Sequence, residues 1–498
     1  MSGFEQEPAD ILERLRQLRE ADAPTHGGHV LSYVYDSGLA ELDELAAAAI
    51  RVVQPVNGLD PTTFTSVAVM EREVVGFVRG LLHADAGGDE IVGNVTTGGT
   101  ESCLLAVKTA RDNWRARGGT GIPRLLAPTT VHAAFHKAAH YFGLDLDLVP
   151  VDIRTGLASA ADLVARMGPD VALVVVSAPS YPFAALDPIA EVAAAARAHG
   201  IDCHVDACIG GLALPFWPDV PAWDFAVPGV TSISADLHKF GYAPKGASVL
   251  LHRGLDRHRT QYFATTSWPG YPVVNPTMLG SKSAGALAAA WAIIHALGVA
   301  GFAELAQSCE RSTRALVASI RGVEGLSVVG EPVGPLIAVT SDDSVAEGLR
   351  VDPHHWADQV RGHGFLLQLQ PSVSQPDGTR LPRTTHLTVT PVTERVLPEL
   401  TAALAAAADE VRGVPGVAPA DVVGVLGADI GALGQLDSAT SAALLAGLGL
   451  GGGSAGVMPD RMAPLLALIE ALPAPVSERL LTELLARLVA PGDAPAAG

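Results

Sequence analysis

The chain has 498 residues, 48% of them hydrophobic, and its 33 Lys and Arg against 53 Asp and Glu give a formal net charge of −20. A chain of this length is expected to fold into two or three compact units. The negative charge disfavours nucleic acid as a partner, because nucleic-acid binding requires a basic face. The most basic run, residues 252–261 (HRGLDRHRTQ), is expected to be a solvated loop or a local anion site.

The sequence also favours a particular cellular compartment. The N-terminal segment carries acidic residues and lacks a long apolar core, so it does not predict a signal peptide. The apolar stretch at 286–298 is too short to span a bilayer. The cysteines have neither metal-site nor disulfide-framework spacing: Cys103, Cys203, Cys208 and Cys309. We therefore expect a reduced, soluble, cytoplasmic protein with no membrane span.

The N-terminal half predicts helices first and then a regular alternation. Helices are expected at 9–20, 39–52 and 64–82. Apolar strands follow at 91–99, 124–130, 146–152, 171–179 and 202–208, separated by helices at 100–117, 132–143, 158–167 and 187–200. Because these strands lack alternating polar residues, they predict a mainly parallel sheet covered on both faces.

The C-terminal half predicts a smaller unit and an extension. A long helix near 300–320 leads into a mixture of strands and helices of α+β character. Beyond residue 412 the composition shifts to Gly, Ala and Leu, with a flexible break at 447–456, two amphipathic helices, and a disordered end. The predicted division is a helical arm (1–60), a large domain (61–315), a small α+β domain (316–411) and a helical extension (412–498).

Three segments that carry reactive or charged groups lie where strands of such a sheet end, the usual place for a ligand. The first, TTGGTES at 96–102, offers backbone N–H groups at a helix start, which suit an anion, although an ordinary turn has the same composition. The second places Asp206 at the end of an apolar strand, where a carboxylate needs a cation or acts as a cap. The third places Lys239 in a loop of turn-forming residues, where it can form an imine.

Together the three segments predict one cofactor. Pyridoxal 5'-phosphate (PLP) needs an anion cradle, a carboxylate that keeps its pyridine nitrogen protonated, and a lysine that binds its aldehyde. The chain supplies the cradle, then Asp206, then Lys239 33 residues later. The combination of all three segments is far more specific for PLP than any one segment alone.

Five segments carry a resemblance to a known family: 96–112, 132–143, 204–211, 231–251 and 275–292. Over roughly residues 25–410 the chain resembles the fold-type I PLP enzymes of the group II decarboxylase superfamily, and within it the sphingosine-1-phosphate lyases. The resemblance implies an α/β fold of the PLP-dependent transferase type, with a mainly parallel seven-stranded sheet in the large domain. It also implies a homodimer whose active sites lie at the subunit interface.

The resemblance assigns roles to individual residues. Lys239 would form the Schiff base with PLP, Asp206 would pair with the pyridine nitrogen, and His132 would stack on the ring. The phosphate would be held by Gly98, Gly99, Thr100 and His238, with Ser281 contributed from the partner subunit. Lys245 would approach a phosphate on the substrate, and Tyr35 matches an active-site tyrosine. Lys239 or Tyr35 is the candidate acid that returns a proton.

Three departures concern the substrate-binding residues. Asn57 is followed by Asp60 where the lyases have a histidine, and Val273, with Tyr271 nearby, stands where they have a tyrosine. The segment at 179–184 reads PSYPFA instead of PQFPHG. Because an aspartate would repel a phosphate dianion at short range, we hypothesise that the polar head of the substrate is not a phosphate.

The expected activity is carbon–carbon cleavage of a β-hydroxy amine or β-hydroxy amino acid. Amino-acid decarboxylation is the alternative, and a cofactor-binding scaffold without turnover is a third. The i, i+4, i+8 spacing of His132, His136 and His140 could suit zinc. No acidic residue lies among them as in a zinc-protease helix, so we interpret His132 as the ring-stacking residue and expect no metal.

Overall fold

The computed structural model describes residues 5–86, 88–418, 437–447 and 461–490. The chain begins with three helices, α1 Pro8–Arg19, α2 Ala40–Val53 and α3 Thr65–Leu81, close to their predicted positions. α1 buries none of its residues, and its apolar side chains are 50–57% exposed: Ile11, Leu12, Leu15 and Leu18. It therefore presents an apolar stripe to the solvent.

The central sheet confirms the predicted fold class. Its seven strands are β1 Ile91–Thr96, β2 Arg124–Pro128, β3 Asp145–Val149, β4 Val171–Ser177, β5 Asp202–Asp206, β6 Ser232–Ala235 and β7 Ser248–Arg253. They lie in the order β1-β7-β6-β5-β4-β2-β3, with β7 antiparallel to both its neighbours and the other pairs parallel. β6 was not predicted, because its sequence SISA contains only one large apolar residue, Ile233.

Helices cover both faces of this sheet, as the unbroken apolar strands require. Between the strands lie α4 Gly99–Ala116, α5 Ala133–Phe142, α6 Ala160–Ala165 and α7 Ile189–His199. α4 and α5 pack on one face, and α3 and α7 pack on the other. Each parallel strand points its carboxyl end to the same edge of the sheet.

The basic run at 252–261 is not the solvated loop that we expected. It contains the end of β7 and a helix, α8 Leu255–Gln261. Arg257 forms an ion pair with the buried Asp202 at 3.1 Å, and His252 and Gln261 are buried and share a hydrogen bond of 2.8 Å. Because polar contacts hold this helix, hydrophobic periodicity could not reveal it.

A long helix, α9 Gly285–Arg321, leads to the smaller unit. Non-helical backbone at Gly298 (φ 53°) kinks it. By length and composition alone, it is the one element among the described residues that could cross a membrane, but the break at Gly298 divides it into two helices, and the predicted apolar stretch at 286–298 ends at that break. α9 packs against α2 and α3, and 17 of its residues are buried, as in a core helix.

The smaller unit has the predicted α+β character. Its sheet has the order β10-β11-β15-β12, and all its pairs are antiparallel. The strands are β10 Leu326–Val328, β11 Leu336–Ser341, β12 Gln368–Gln370 and β15 Thr384–Thr388, with the short hairpin β13 Val373–Ser374 and β14 Arg380–Leu381. Helices α10 Pro353–Gly362 and α11 Thr393–Val411 complete its own apolar core. The domain boundaries given above remain a prediction.

The C-terminal extension contains the two predicted amphipathic helices. α12 Ser438–Gly447, α13 Ala463–Ala471 and α14 Ala474–Leu488 are described, whereas most of the predicted break at 447–456 and the disordered end lie outside the described residues. Arg383, just before β15, donates to both carboxylate oxygens of Glu470 at 2.7–3.0 Å. The Glu470 side chain is only 2% exposed, so a buried ion pair attaches the extension to the smaller unit.

Replacing Glu470 by alanine is expected to loosen this attachment. Removing Glu470 takes away the closer carboxylate partner of Arg383, which keeps a longer ion pair of 3.5 Å with Asp352, so the loss should cost up to about 3 kcal/mol. Proteolysis and hydrogen exchange of residues 461–490 should accelerate, while the central sheet keeps its protection. Glu478→Ala, on the exposed face of α14, is the matched control. Equal protection in the two variants would contradict this role for the ion pair.

Candidate active site

A cavity of about 660 Å³ lies at the carboxyl edge of the central sheet. Ser177 ends β4, Asp206 ends β5 and Asp236 follows β6, and all three line it. The start of α4 and the loop that carries Lys239 close two further sides. The fold thus brings the three predicted segments to one place.

The phosphate cradle is built by two glycines at the start of α4. Gly98 has φ 142°, which disfavours other residues, and a Cβ atom on it would lie 3.3 Å from His238 Cε1. A Cβ atom on Gly99 would lie 2.6 Å from a carboxylate oxygen of Asp236. Glu101 accepts hydrogen bonds from the N–H and hydroxyl groups of Thr97 and so fixes the turn. The free N–H groups of this helix start suit a phosphate.

Asp206 is held in place at the bottom of the cavity. Its Oδ1 accepts the backbone N–H of Cys208 at 3.1 Å and the hydroxyl of Ser234 at 3.4 Å. Both donors share one oxygen, which leaves the other free to face the cavity. A carboxylate in this setting fits the protonated pyridine nitrogen of PLP.

Lys239 lies beside a second carboxylate that the sequence analysis did not single out. Its Nζ is 3.0 Å from Asp236 Oδ2, and His238 Nε2 is 3.6 Å from the same oxygen. Burial lowers the pKa of Lys239, but Asp236, together with weaker contributions from other groups that include Asp206, raises that pKa well above its usual value. The same cations lower the pKa of Asp236 against the effect of burial. Both groups are therefore charged.

His132 stands where a cofactor ring would be covered. It caps α5, because its Nδ1 accepts the N–H of Ala134 at 3.1 Å. Burial lowers the pKa of His132, so the ring is neutral and its Nε2 carries the proton. Tyr181 lies edge-on to it at 6.5 Å and stacks on His386 of β15 at 4.3 Å. His132 lines the cavity, whereas His136 and His140 do not.

Tyr35 and Lys245 form a pair beside the reactive lysine. Lys245 Nζ lies 4.4 Å from the centre of the Tyr35 ring and donates to the His238 carbonyl at 3.0 Å. Burial raises the pKa of Tyr35 to about 12, so its hydroxyl keeps its proton at neutral pH. Burial, and then the charge of Lys239, lower the pKa of Lys245 to about 8. Lys245 also lines a second cavity of about 360 Å³, behind Tyr35.

Five predicted residues do not line the large cavity of their own chain: Tyr35, which lines the second cavity, and Asn57, Asp60, Tyr271 and Ser281. Asn57 and Ser281 meet each other, since Asn57 Nδ2 donates to Ser281 Oγ at 3.3 Å. The Asp60 carboxylate accepts hydrogen bonds from Thr62 and Thr63, and these lower its pKa to about 2. Tyr271 is exposed on a hairpin formed by β8 Phe263–Thr265 and β9 Val273–Asn275.

Other residues of the cavity were missed by sequence reasoning. Asp236 is the clearest, and it was missed because β6, the strand that it follows, was not predicted. Cys103 and Cys208 also line the cavity, and their sulfur atoms and an Asp206 oxygen lie within 4.8 Å of one another. Their separation in the sequence gave no signal of this proximity. Lys137, Tyr141 and Tyr181 complete the wall.

Comparisons with known proteins agree with this fold and site. The family model of the pyridoxal-dependent decarboxylase conserved domain matches residues 40–340. A second model, the C-terminal putative HTH domain of pyridoxal-dependent enzymes, matches residues 392–487. The fold and the cavity together define an enzyme that uses PLP. The chain belongs to the pyridoxal-dependent decarboxylase family.

The individual relatives of this chain include two sphingosine-1-phosphate lyases. The sphingosine-1-phosphate lyase of Dictyostelium discoideum is 36% identical over 341 residues, which cover 67% of this chain and 63% of that protein. This chain thus spans less than two thirds of that relative. The solved sphingosine-1-phosphate lyase of Burkholderia pseudomallei has 33% identity and a TM-score of 0.75, covering 83% of this chain and 93% of that one. Lactobacillus brevis glutamate decarboxylase, at 19% identity and a TM-score of 0.72 over 84% of this chain and 95% of that one, shares the fold.

Proposed function

We propose that the protein is a PLP-dependent carbon–carbon lyase that cleaves a β-hydroxy amine or β-hydroxy amino acid. The observation that carries the proposal is the cavity that joins Lys239 and Asp206 to a second lysine, Lys245. The likeness to sphingosine-1-phosphate lyases at 33–36% identity supports it. Amino-acid decarboxylation is the second candidate, favoured by the description of the matched family model.

The proposed roles follow from the positions of the side chains. When bound, PLP withdraws electrons from the substrate bond held perpendicular to its ring. Asp206 would keep the pyridine nitrogen protonated, and His132 would cover the ring. Gly98, Gly99, Thr100 and His238 would hold the phosphate. Tyr35 and the Lys239 ammonium both hold a proton at neutral pH, so either can act as the acid.

The products separate the two candidate reactions. We would incubate the loaded enzyme with a panel of amino acids and of phosphorylated and unphosphorylated β-hydroxy amines, and measure aldehyde and carbon dioxide together. A lyase acting on an amino alcohol releases an aldehyde and no gas. Carbon dioxide from amino acids without aldehyde from any β-hydroxy amine would overturn the lyase proposal in favour of the decarboxylase.

We further propose that the substrate carries an anionic head group bound by Lys245, which revises our hypothesis from the sequence. Asp60 does not line the cavity of its own chain, and its carboxylate is engaged by Thr62 and Thr63. The predicted repulsion therefore does not act within one chain. Lys137 adds a second lysine to the same cavity.

Lys245→Met should raise KM for a phosphorylated substrate by about 10- to 100-fold, because a charge-assisted contact contributes about 1.5–3 kcal/mol. An unphosphorylated analogue should be affected much less. Because the pKa of Lys245 is about 8, the cation is present below pH 8 and is lost above it. KM of the native enzyme for the phosphorylated substrate should therefore rise above pH 8, and this rise should be absent from the variant. Equal KM values for both proteins would contradict the assignment.

We also propose a cytoplasmic homodimer whose subunits share their active sites. The exposed stripe of α1 and the exposed apolar residues of the β8–β9 hairpin region support an interface: Phe263, Trp268, Tyr271, Val274, Met278 and Leu279. Asn57, Tyr271 and Ser281 would then act at the partner's cavity, and Asp60, whose carboxylate is engaged by Thr62 and Thr63, would fix the turn that follows Asn57. A monomer by sedimentation at micromolar concentration would contradict this.

We propose no nucleic-acid partner, although the C-terminal model carries the description of a helix-turn-helix domain. The described residues 437–447 and 461–490 contain three arginines against four carboxylates. A DNA-binding surface instead needs clustered basic residues. An assay with random-sequence duplex DNA at low salt tests this, and salt-dependent retention would contradict it.

A further inference from the structure

We propose that Asp236 is a positioning residue that holds the Lys239 side chain as an ammonium ion whenever its nitrogen is not bonded to the cofactor. The proposal rests on the PLP chemistry of the site and not on the substrate. It would survive if the protein proved to be a decarboxylase.

The position of the Asp236 carboxylate is fixed by three neighbours. It is 1% exposed, and its Oδ2 lies 3.0 Å from Lys239 Nζ and 3.6 Å from His238 Nε2. It also lies against Gly99, where a Cβ atom would approach both of its oxygens within 2.7 Å. The carboxylate therefore sits between the reactive lysine and the phosphate cradle. A buried carboxylate in this place requires a cation.

This arrangement controls when Lys239 can react. A protonated lysine must lose a proton to become a nucleophile. In the overall step, the ammonium and the aldehyde give a protonated C=N bond and one water that carries away the aldehyde oxygen. The step balances without any further reactant. By favouring the ammonium, Asp236 restrains the free Lys239 from attack and keeps a proton donor in the cavity.

Asp236 also has a second neighbour, the neutral ring of His238, when Lys239 is bonded to the cofactor. His238 Nδ1 accepts the N–H of Ala247 at 3.3 Å, so the proton of the neutral ring lies on Nε2, which is directed towards Asp236. Once Lys239 is bonded to the cofactor, His238 is the remaining basic group beside this carboxylate. The buried charge therefore keeps a neighbour that can stabilise it.

The test is the pH dependence of cofactor loading by cofactor-free protein, followed as the visible absorption of the imine at saturating PLP. In the native protein only the small neutral fraction of Lys239 reacts, so the rate should rise about tenfold per pH unit from pH 7 to pH 10. In Asp236→Asn, burial without the facing carboxylate lowers the lysine pKa. The rate at pH 7.5 should increase at least about tenfold, and the profile should level off within this range.

Controls separate this effect from other titrations near Lys239. The charged or titratable groups that face it come from several elements: Tyr35, Cys103, His132, Tyr181, Asp206, Cys208, Asp236, His238 and Lys245. Lys245 titrates within the measured range, so the profiles are repeated in Lys245→Met. Asp187→Asn is the matched substitution, because Asp187 is buried and accepts the Ser177 N–H at 2.7 Å without contacting Lys239. It should retain the native profile.

Two outcomes would overturn the proposal. The first is an Asp236→Asn profile identical to the native one. The second needs no variant and therefore holds even if Asp236→Asn fails to fold: a native loading rate that does not change between pH 7 and pH 10 would show that Lys239 is not held as an ammonium. A protein that loads PLP as expected but cleaves no β-hydroxy amine would contradict the proposed activity alone.

Discussion

Lys239→Ala is expected to abolish both the visible absorption band and turnover. Lys239 lines the cavity together with Asp206, His132 and the glycine cradle, and its primary amine lies 3.0 Å from Asp236, the carboxylate that lies against Gly99. Without that amine no imine can form between protein and cofactor. Loss of a group that forms a covalent bond to the cofactor should lower kcat by about a thousandfold or more.

The measurement is an absorption spectrum after incubation with PLP and removal of excess cofactor, together with a turnover assay. Lys245→Met is the matched control, because it removes another lysine of the same cavity and should keep the visible band. A Lys239→Ala protein that retained the band and its turnover would falsify the PLP-binding role of this residue.

Asp206→Asn should be nearly as damaging, for a different reason. Asparagine keeps the shape and can still accept from the Cys208 N–H, but it carries no charge to hold a proton on the pyridine nitrogen. A charge pair at about 4 Å and intermediate dielectric contributes about 4 kcal/mol, so kcat should fall by about a thousandfold. The visible band should still form, since Lys239 is unchanged.

A second buried carboxyl group provides the control for this prediction. Asp187→Asn makes the same exchange at another buried carboxyl group, and burial already raises the pKa of Asp187 to about 7. Because that group is partly neutral at pH 7, its replacement should leave kcat within about twofold of native. If Asp206→Asn also stayed within that range, Asp206 could not be the partner of the pyridine nitrogen.

The sequence predicted those parts of the cavity that directly follow strands of the central sheet. The cradle, Asp206 and Lys239 each follow a strand, and the carboxyl ends of adjacent strands meet in any sheet of this type. The sheet itself could be predicted because β4 is a continuous apolar run and the predicted strands alternate with helices. The number of strands, seven, came from the resemblance, and their order was not predicted.

Contacts between residues that are far apart in the sequence, and that do not follow strands, could not be predicted from the strand pattern. Tyr35 meets Lys245 and Cys103 meets Cys208 only through the fold. The helix at Leu255–Gln261 and the strand at Ser232–Ala235 depend on buried polar contacts and small residues, which carry no hydrophobic period. Asp60 was interpreted through its charge alone, whereas its turn with Thr62 and Thr63 is a local reason for an aspartate.

The stacking of Tyr181 on His386 has a mechanical consequence. Tyr181 belongs to the wall of the cavity, whereas His386 belongs to the small antiparallel sheet, and their rings lie 4.3 Å apart. A ligand that pushed this tyrosine aside would have to shear it across the histidine or drag the neighbouring sheet along. The size of the ligand that the cavity can admit therefore depends on how far the small antiparallel sheet can move away from the large domain.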